Sequence, residues 1–199
     1  MRGILYAMQD HFELAERDFQ QAALLAPQND FGYVGLGVTY LELGNSEEAI
    51  KILRDRLRTK PNDASLQYLL GEALIRSGAT EGQPAFAEAQ AALEKSVKIN
   101  PKLCLPHVSL GSIYLDEGRF SDAATEFEQA RAIDPAEKSA YSHLAIAYRH
   151  LGQPDKAREA LNQLKQVLDQ QRAGIRVKVK AQADENADEN KDLRSVQKP

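Results

Sequence analysis

The histidines and the single cysteine are the residues whose types and spacing could support chemistry. His143 and His150 lie seven residues apart, two turns along one helix face, and His107 could supply a third ligand to a zinc ion. No Cys/His cluster and no His-Glu-x-x-His motif accompanies them, so we interpret them as surface or inter-helix histidines; His11 stands alone. Cys104 has no second cysteine to pair with, and we interpret it as a small packing residue.

The acidic side chains offer no catalytic arrangement. The neighbouring carboxylates Glu47 and Glu48, like Glu126 and Glu128, fall where solvated helix faces are expected. The sequence contains no Gly-rich phosphate loop, no Gly-x-Ser-x-Gly elbow and no Cys–His pair. It therefore predicts a protein that is not an enzyme and that needs no metal or other cofactor.

The composition favours an all-α fold. Hydrophobic residues make up 43% of the chain and charged residues 27%, there is no Trp, and aromatic residues reach only 7%. Ala, Leu, Glu, Gln, Lys and Arg dominate, and these residues are good helix formers. Any candidate site is therefore expected to lie on helices.

The charge and the lack of long apolar runs exclude two classes of partner. The net charge is −4, and residues 172–199 carry seven Lys/Arg against five Asp/Glu, which leaves −6 on residues 1–171. An acidic body argues against nucleic-acid binding, because that binding relies on basic surface to displace counterions. No run approaches about 18 apolar residues, so no membrane span is expected. As written the chain looks cytoplasmic, an expectation that an upstream signal peptide or anchor would change.

Prolines and glycines recur with a regular spacing. The prolines that end helix-like segments are separated by 34, 40 and 34 residues, and they are Pro27, Pro61, Pro101 and Pro135. One glycine per interval lies where a helix should end and reverse, and these are Gly44, Gly78, Gly118 and Gly152. The chain therefore reads as a series of helix–turn–helix units.

Each unit also places a small residue between large apolar ones. On the first helix the pattern is Leu36-Gly37 with Tyr40, Leu70-Gly71 with Leu74, Leu110-Gly111 with Tyr114, and Leu144-Ala145 with Tyr148. On the second helix an alanine precedes a large residue by four positions, as in Ala49 with Leu53 and Ala123 with Phe127. Small residues on a helix face let a neighbouring helix approach closely, and a bulkier side chain there would overpack the contact.

Together these landmarks resemble the tetratricopeptide repeat (TPR), a helix–turn–helix unit of 34 residues. The resemblance covers residues 1–171 and implies an all-α, right-handed superhelical solenoid of antiparallel helix pairs. We divide it into a partial repeat 1 (1–29) and four complete repeats, namely repeat 2 (30–63), repeat 3 (64–103), repeat 4 (104–137) and repeat 5 (138–171). Repeat 3 carries six extra residues around 79–84, which should lengthen the turn or the start of the following helix.

The two ends of the chain differ from the repeats. Gly3 and Tyr6 match the second half of a first helix, so we expect an N-terminally truncated piece of a longer array. Residues 172–199 contain the direct repeat Ala-Asp-Glu-Asn and few apolar residues, so we predict a disordered tail. Alternation of Ile175, Val177 and Val179 with basic residues leaves an edge strand or a grip on an acidic partner as alternatives, with a solvated linker favoured.

The resemblance implies that the first helices line a concave surface that holds a protein or peptide partner. A second apolar stripe on these helices supplies the candidate binding residues, which are Val34, Val38, Leu41, Tyr68, Glu72, Ile75, Val108, Ser112, Leu115, Ile146 and Arg149. Neighbouring first helices touch along part of this stripe, so plain packing is the competing interpretation. The leading hypothesis is a non-catalytic scaffold; the alternatives are the recruitment arm of a larger enzyme and self-association through the incomplete first repeat.

Overall fold

The computed structural model describes the backbone of residues 2–196 and the side chains of residues 2–177. Within these ranges the chain forms ten α-helices and no β-strand. The helices are α1 (Arg2–Met8), α2 (Phe12–Leu25), α3 (Phe31–Glu42), α4 (Ser46–Thr59), α5 (Ala64–Arg76), α6 (Pro84–Ile99), α7 (Cys104–Asp116), α8 (Phe120–Ile133), α9 (Lys138–His150) and α10 (Pro154–Val196). Each helix packs against the next, and the pairs build a right-handed superhelical solenoid of antiparallel helices, as the sequence predicted.

Tight turns reverse the chain inside the helix pairs. Three residues connect α3 to α4, α7 to α8 and α9 to α10, and the glycine in each turn adopts a positive φ of 69° to 75°. An L side chain disfavours this left-handed conformation, which explains why glycine recurs at this position. In the α1–α2 turn the equivalent residue is Asp10, at φ 58° the one non-glycine residue with positive φ in the described part of the chain.

The six extra residues of repeat 3 are divided between a turn and a helix. The connection from α5 to α6 spans residues 77–83, whereas the other complete pairs use three residues. Helix α6 has 16 residues, two more than α4 or α8. Both expected consequences of the insertion therefore occur, and the helix packing continues on either side.

The small residues of the first helices lie against large side chains of the second helices. A β-carbon at Gly111 would lie 2.8 Å from a ring carbon of Phe127, and one at Gly71 would lie 2.7 Å from Cγ of Leu93. Phe127 and Leu93 are fully buried, so neither has open space to move into. The prediction of close helix approach at these residues is confirmed.

The last helix departs from the predicted disordered tail. Helix α10 continues from Pro154 to Val196, so residues 172–196 are helical, and residues 197–199 lie outside the described part. The physical reason is that the packed first turns of α10 provide the helix nucleus, and the Ala, Gln, Glu, Lys and Arg residues that follow have high helix propensity. Ile175 and Val177 therefore lie on a helix, with exposed side chains, and not on a strand.

Candidate functional site

The first helix of each repeat lies on the inner side of the superhelix. Helices α1, α3, α5, α7 and α9 contact one another in sequence, whereas among the described helices no second helix contacts another second helix. A superhelix that curves toward its first helices brings those helices together and separates the second helices. The predicted stripe lies on α3, α5, α7 and α9 and therefore belongs to the more crowded, inner side.

The structure divides the predicted stripe by exposure. Val38 keeps 41% of its surface exposed and Ile146 keeps 38%, and both occupy the same place in their repeats, one residue after the small residue of the first helix. Arg149 is also exposed. The half-buried members are Val34, Tyr68, Glu72, Ile75, Val108, Ser112 and Leu115. The open parts of the stripe thus lie in repeat 2 and repeat 5.

Leu41 does not line an open groove. Only 4% of its surface is exposed, and it belongs to a core cluster with Leu69 and Leu70 of the next repeat. The reason is that α5 covers the C-terminal end of α3, where the Arg76 guanidinium also donates a hydrogen bond to the Leu41 carbonyl oxygen. For Leu41 the packing interpretation replaces the binding interpretation.

Polar groups occupy the middle of the stripe. The Ser109 hydroxyl donates a hydrogen bond to Oε1 of Glu72 and thereby links α7 to α5. The Ser112 hydroxyl donates to the Val108 carbonyl oxygen of its own helix at 3.0 Å. Burial, followed by the nearby negative charge of Glu72, raises the pKa of Tyr68, so its hydroxyl stays protonated. The middle of the surface is therefore polar, with much of its hydrogen-bonding capacity already used.

The C-terminal end of the stripe combines apolar surface with positive charge. Ile146, Arg149 and His150 line a surface cavity of about 290 Å³. The His150 ring stacks on Phe120 with ring centroids 4.2 Å apart, which holds the imidazole in place. Arg149 forms no ion pair with any of the described side chains. This end can therefore accept an acidic group beside an apolar one.

Two exposed residues extend the stripe by one turn beyond the predicted set. Phe31 precedes Val34 by three residues, and Leu105 precedes Val108 by three residues, so each continues the same helix face. The signal was available in the sequence as the continued spacing of three and seven residues. Both were missed because the prediction began at Val34 on α3 and at Val108 on α7.

The histidines occupy separate environments. Nδ1 of His107 lies 2.6 Å from Oε2 of Glu126, and its Nε2 lies 3.1 Å from the Pro101 carbonyl oxygen. Both partners accept hydrogen bonds, so the ring satisfies both as an imidazolium, and despite burial these two bonds raise the pKa of His107. The His143 ring stacks on Phe127 with centroids 5.2 Å apart. The side chains described up to residue 177 contain no group of three His, Cys, Asp or Glu residues arranged to hold a metal ion.

His107 and Gln67 replace the repeat's usual aromatic residue and share its hydrogen bond. Nε2 of Gln67 donates to the Pro61 carbonyl oxygen at 2.9 Å, and the Tyr141 hydroxyl donates to the Pro135 carbonyl oxygen at 3.0 Å. His107 makes the corresponding contact with Pro101. In repeats 3, 4 and 5 this position therefore carries a long side chain with a terminal donor, and His107 has a structural explanation.

Cys104 has an equally plain role. Its thiol donates a hydrogen bond to the Ala130 carbonyl oxygen at 3.4 Å and so joins α7 to the helix it packs against. Burial, with the nearby carboxylates of Asp134 and Glu137, raises the pKa of the thiol. A protonated thiol is a poor nucleophile, which agrees with the interpretation of Cys104 as a packing residue.

Comparisons with known proteins identify the repeat. The model of a tetratricopeptide repeat family matches residues 6–73 and 114–180. Tetratricopeptide repeat protein 6 of Homo sapiens is 26% identical over 138 residues, which are 69% of this chain and 25% of that protein. The probable UDP-N-acetylglucosamine–peptide N-acetylglucosaminyltransferase SPINDLY of Hordeum vulgare is 37% identical over 82 residues. These residues are 41% of this chain and 9% of that protein. The chain thus spans a quarter or less of these two relatives.

The fold is also that of solved repeat structures. A thermophilic TPR protein of Thermus thermophilus superposes with a TM-score of 0.70 over 91% of this chain and 94% of that chain, at 22% identity. At this identity the likeness shows the fold alone. None of the described helices combines the length and apolar character needed to cross a membrane.

Proposed function

Because the chain belongs to the tetratricopeptide repeat family, we propose that it is a non-catalytic scaffold that binds a segment of a partner protein along the inner face of its first helices. The observation that carries the proposal is the exposure of Val38 and Ile146 on that face. Their equivalents Glu72 and Ser112 are polar, so apolar surface remains open at the two ends of the stripe. Exposed apolar side chains on a concave surface favour protein binding.

The open residues define the partner segment. Fully burying a large apolar side chain contributes about 1.5–3 kcal/mol. Covering the exposed two fifths of Val38 and of Ile146 therefore contributes about 1–2 kcal/mol together, which is one part of the roughly 8 kcal/mol of a micromolar contact. Phe31 extends the apolar surface at the repeat 2 end. A helix or an extended strand that presents apolar side chains at both of its ends fits this surface.

Charge sets the direction of the segment. Arg149 is exposed, forms no ion pair with the described side chains, and lies beside Ile146 in the 290 Å³ cavity. An Asp or Glu near one end of the partner segment would pair with this guanidinium. At the other end Glu42 has its charge opposed by Arg76, with Oε1 and Nη1 3.9 Å apart. The acidic end of the partner therefore faces repeat 5.

A peptide selection tests the proposal. A displayed library of helical and extended peptides is selected on the wild-type protein and then on a Val38→Asp, Ile146→Asp double variant. Both residues are exposed, so circular dichroism of the variant should match wild type. We expect peptides with apolar residues at both ends and Asp or Glu at one end, and at least about tenfold weaker binding to the double variant.

Two further variants complete the selection experiment. Leu24→Asp is the matched control, because Leu24 is exposed and lies on α2, away from the inner face, so it should leave binding unchanged. Arg149→Glu should weaken acidic peptides about two- to fivefold, because an exposed ion pair is worth about 0.2–1 kcal/mol. Peptides that bind wild type and the double variant equally well would place the binding surface elsewhere and contradict the proposal.

A second candidate function is the recruitment arm of a larger enzyme. The observation that favours it is the 37% identity to a segment of SPINDLY. That segment makes up 9% of the length of SPINDLY. In this case the groove binds the substrate protein of a catalytic domain carried elsewhere. Sequencing of the full transcript discriminates the two, because the second candidate requires a catalytic domain in the same reading frame.

A further inference from the structure

Glu72 carries the one negative charge among the candidate binding residues of the inner face. The residues at the equivalent position of repeats 2, 4 and 5 are uncharged, and they are Val38, Ser112 and Ile146. Glu72 is half-buried, and its Oε1 accepts a hydrogen bond from the Ser109 hydroxyl. No side chain described up to residue 177 forms an ion pair with it. In this part of the chain the charge of Glu72 therefore has no counter-ion.

Arg76 lies one turn after Glu72 on α5 but is directed toward the preceding repeat. Its guanidinium donates a hydrogen bond to the Leu41 carbonyl oxygen, and its Nη1 lies 3.9 Å from Oε1 of Glu42. Both of these contacts are with α3. Arg76 is therefore engaged elsewhere and leaves the carboxylate of Glu72 open to a cation from outside the chain.

Tyr68 lies one turn before Glu72 on the same face of α5. Its ring packs against the two largest core clusters, which hold it in place. Burial is the main cause of the raised pKa of Tyr68, and the negative charges of Glu72 and Glu137 raise it further. The positive charge of Arg76 acts in the opposite direction. A fixed aromatic ring thus stands beside a carboxylate, in surroundings where negative charge predominates.

A segment that covers the inner face removes water from the free oxygen of Glu72. A carboxylate that loses water without gaining a partner carries a large penalty, whereas an opposite charge with hydrogen-bond donors offsets it. A lysine brings three N–H donors and an arginine brings five. Either cation is also attracted to the face of an aromatic ring such as that of Tyr68.

We propose that Glu72 and Tyr68 select a partner segment with Lys or Arg at its centre, between the apolar residues that cover Val38 and Ile146. This inference rests on the proposed function, because Glu72 needs no counter-ion while its free oxygen remains in water. The partner then has the order apolar, basic, apolar. Glu72 acts as a specificity-determining residue in the middle of the proposed groove.

Peptide selection on charge variants tests this inference. The displayed library of helical and extended peptides is selected on wild type, Glu72→Gln and Glu42→Gln. Glu72→Gln removes the charge but keeps an oxygen that can accept from Ser109, so its circular dichroism and urea midpoint should match wild type. Glu42→Gln is the matched control, because half of the Glu42 side chain is exposed and Arg76 already opposes its charge. We expect a central Lys or Arg on wild type and on Glu42→Gln, and no such preference on Glu72→Gln.

Binding of one enriched peptide separates recognition from a structural role of Glu72. Replacement of the central Lys of the peptide by Met should weaken binding to wild type about three- to tenfold. The same replacement should weaken binding to Glu72→Gln by less than about twofold, because the charge it pairs with is gone. Equal weakening on both proteins would show that the peptide lysine does not meet Glu72 and would overturn the inference.

A double variant that moves the charge by one repeat gives a positional test. Glu72→Ser, Ser112→Glu exchanges two equivalent residues on first helices that lie about 8–10 Å apart. The enriched basic residue should move toward the apolar residue that covers Ile146. The expected shift is about three positions in an extended peptide and about six in a helical one.

The outcomes distinguish this inference from the proposed function. A basic residue that is not enriched on wild type, that persists on Glu72→Gln, or that keeps its position on the exchanged variant overturns the inference. If the same peptides still lose binding to the Val38→Asp, Ile146→Asp variant, the proposed function stands without it. A selection that yields no peptide sensitive to that variant contradicts the proposed function, and this inference with it.

Discussion

Gly111 offers a test of how tightly the repeats are packed, through its substitution by alanine. In a helix this change gains up to about 1 kcal/mol, because glycine has the lower helix propensity. The added methyl, however, would lie 2.8 Å from one carbon of the Phe127 ring and 3.0 Å from two others, whereas ordinary contacts lie at 3.4–4 Å. Phe127 is fully buried, so the clash costs about 1–3 kcal/mol. We expect Gly111→Ala to destabilise the protein by about 1 kcal/mol, because the middle of the clash range exceeds the gain in helix propensity by that amount.

Gly37→Ala is the matched control at the same place in another repeat. Its added methyl would lie 3.2 Å from terminal methyl groups of Leu53 and Leu69. These side chains need to shift by only a few tenths of an ångström, so the cost roughly offsets the gain in helix propensity. The free energy of unfolding of Gly37→Ala should stay within about 0.5 kcal/mol of wild type, in contrast to that of Gly111→Ala.

The double variant Gly111→Ala, Phe127→Leu isolates the clash. Phe127→Leu alone should cost about 1–2 kcal/mol through lost ring volume. In the double variant the alanine methyl occupies part of that volume, so the combined cost should fall below the sum by about 1 kcal/mol. Urea unfolding followed by far-ultraviolet circular dichroism measures the four variants and wild type. Equal costs for the two glycine substitutions, or strictly additive costs in the double variant, would refute the packing argument.

Two further predictions concern the His107–Glu126 ion pair and the buried side chain of Leu41. The raised pKa of His107 means that its ion pair with Glu126 stabilises the fold fully below the ordinary histidine pKa and is lost as pH rises through the raised value. The urea midpoint of wild type should therefore fall from pH 6 to pH 8 more than that of His107→Gln, which retains the bond that Gln67 makes; equal slopes would contradict the assignment. Leu41→Asp should lower the free energy of unfolding by at least about 3 kcal/mol, because it buries a charge in the core. An unchanged melting curve would instead indicate that Leu41 lines an open groove.

The sequence sufficed for the fold because each landmark has a local physical cause. Gly118 at φ 72° and the contact of Gly111 with Phe127 both follow from residue size and backbone preference, which the printed sequence displays directly. The third repeat kept its phase despite six extra residues because the turn between α5 and α6 absorbed most of them. Asp10 was missed at the first turn because aspartate can reach the left-handed conformation, yet it occurs in many other settings and does not mark a turn as glycine does.

The candidate site was less predictable because exposure depends on neighbouring repeats. Val38 and Leu41 lie on one face of α3 at helical spacing, yet Val38 is open and Leu41 is covered by α5. The sequence of α3 contains no information on where the next helix crosses it. The prediction of a disordered tail differs from the structure for another reason. Composition indicated that residues 172–177 bury little surface, and their side chains are exposed. A helix that is already nucleated by packing on α9 nevertheless extends without further burial.

The order of apolar and polar side chains along the inner face restricts the proposed partner more than the residue types alone do. Val38 and Ile146 are separated by the repeats that carry Glu72 and Ser112, where Ser109 already bonds to Glu72. A segment that is apolar throughout would bury that carboxylate without a new partner for its remaining lone pairs, at a cost of about 1–3 kcal/mol. A segment with a polar centre avoids this cost and still covers both apolar ends. The proposed groove should therefore select for an apolar–polar–apolar order, and we expect the selection against uniformly apolar peptides to arise from Glu72, the one acidic member of the predicted stripe.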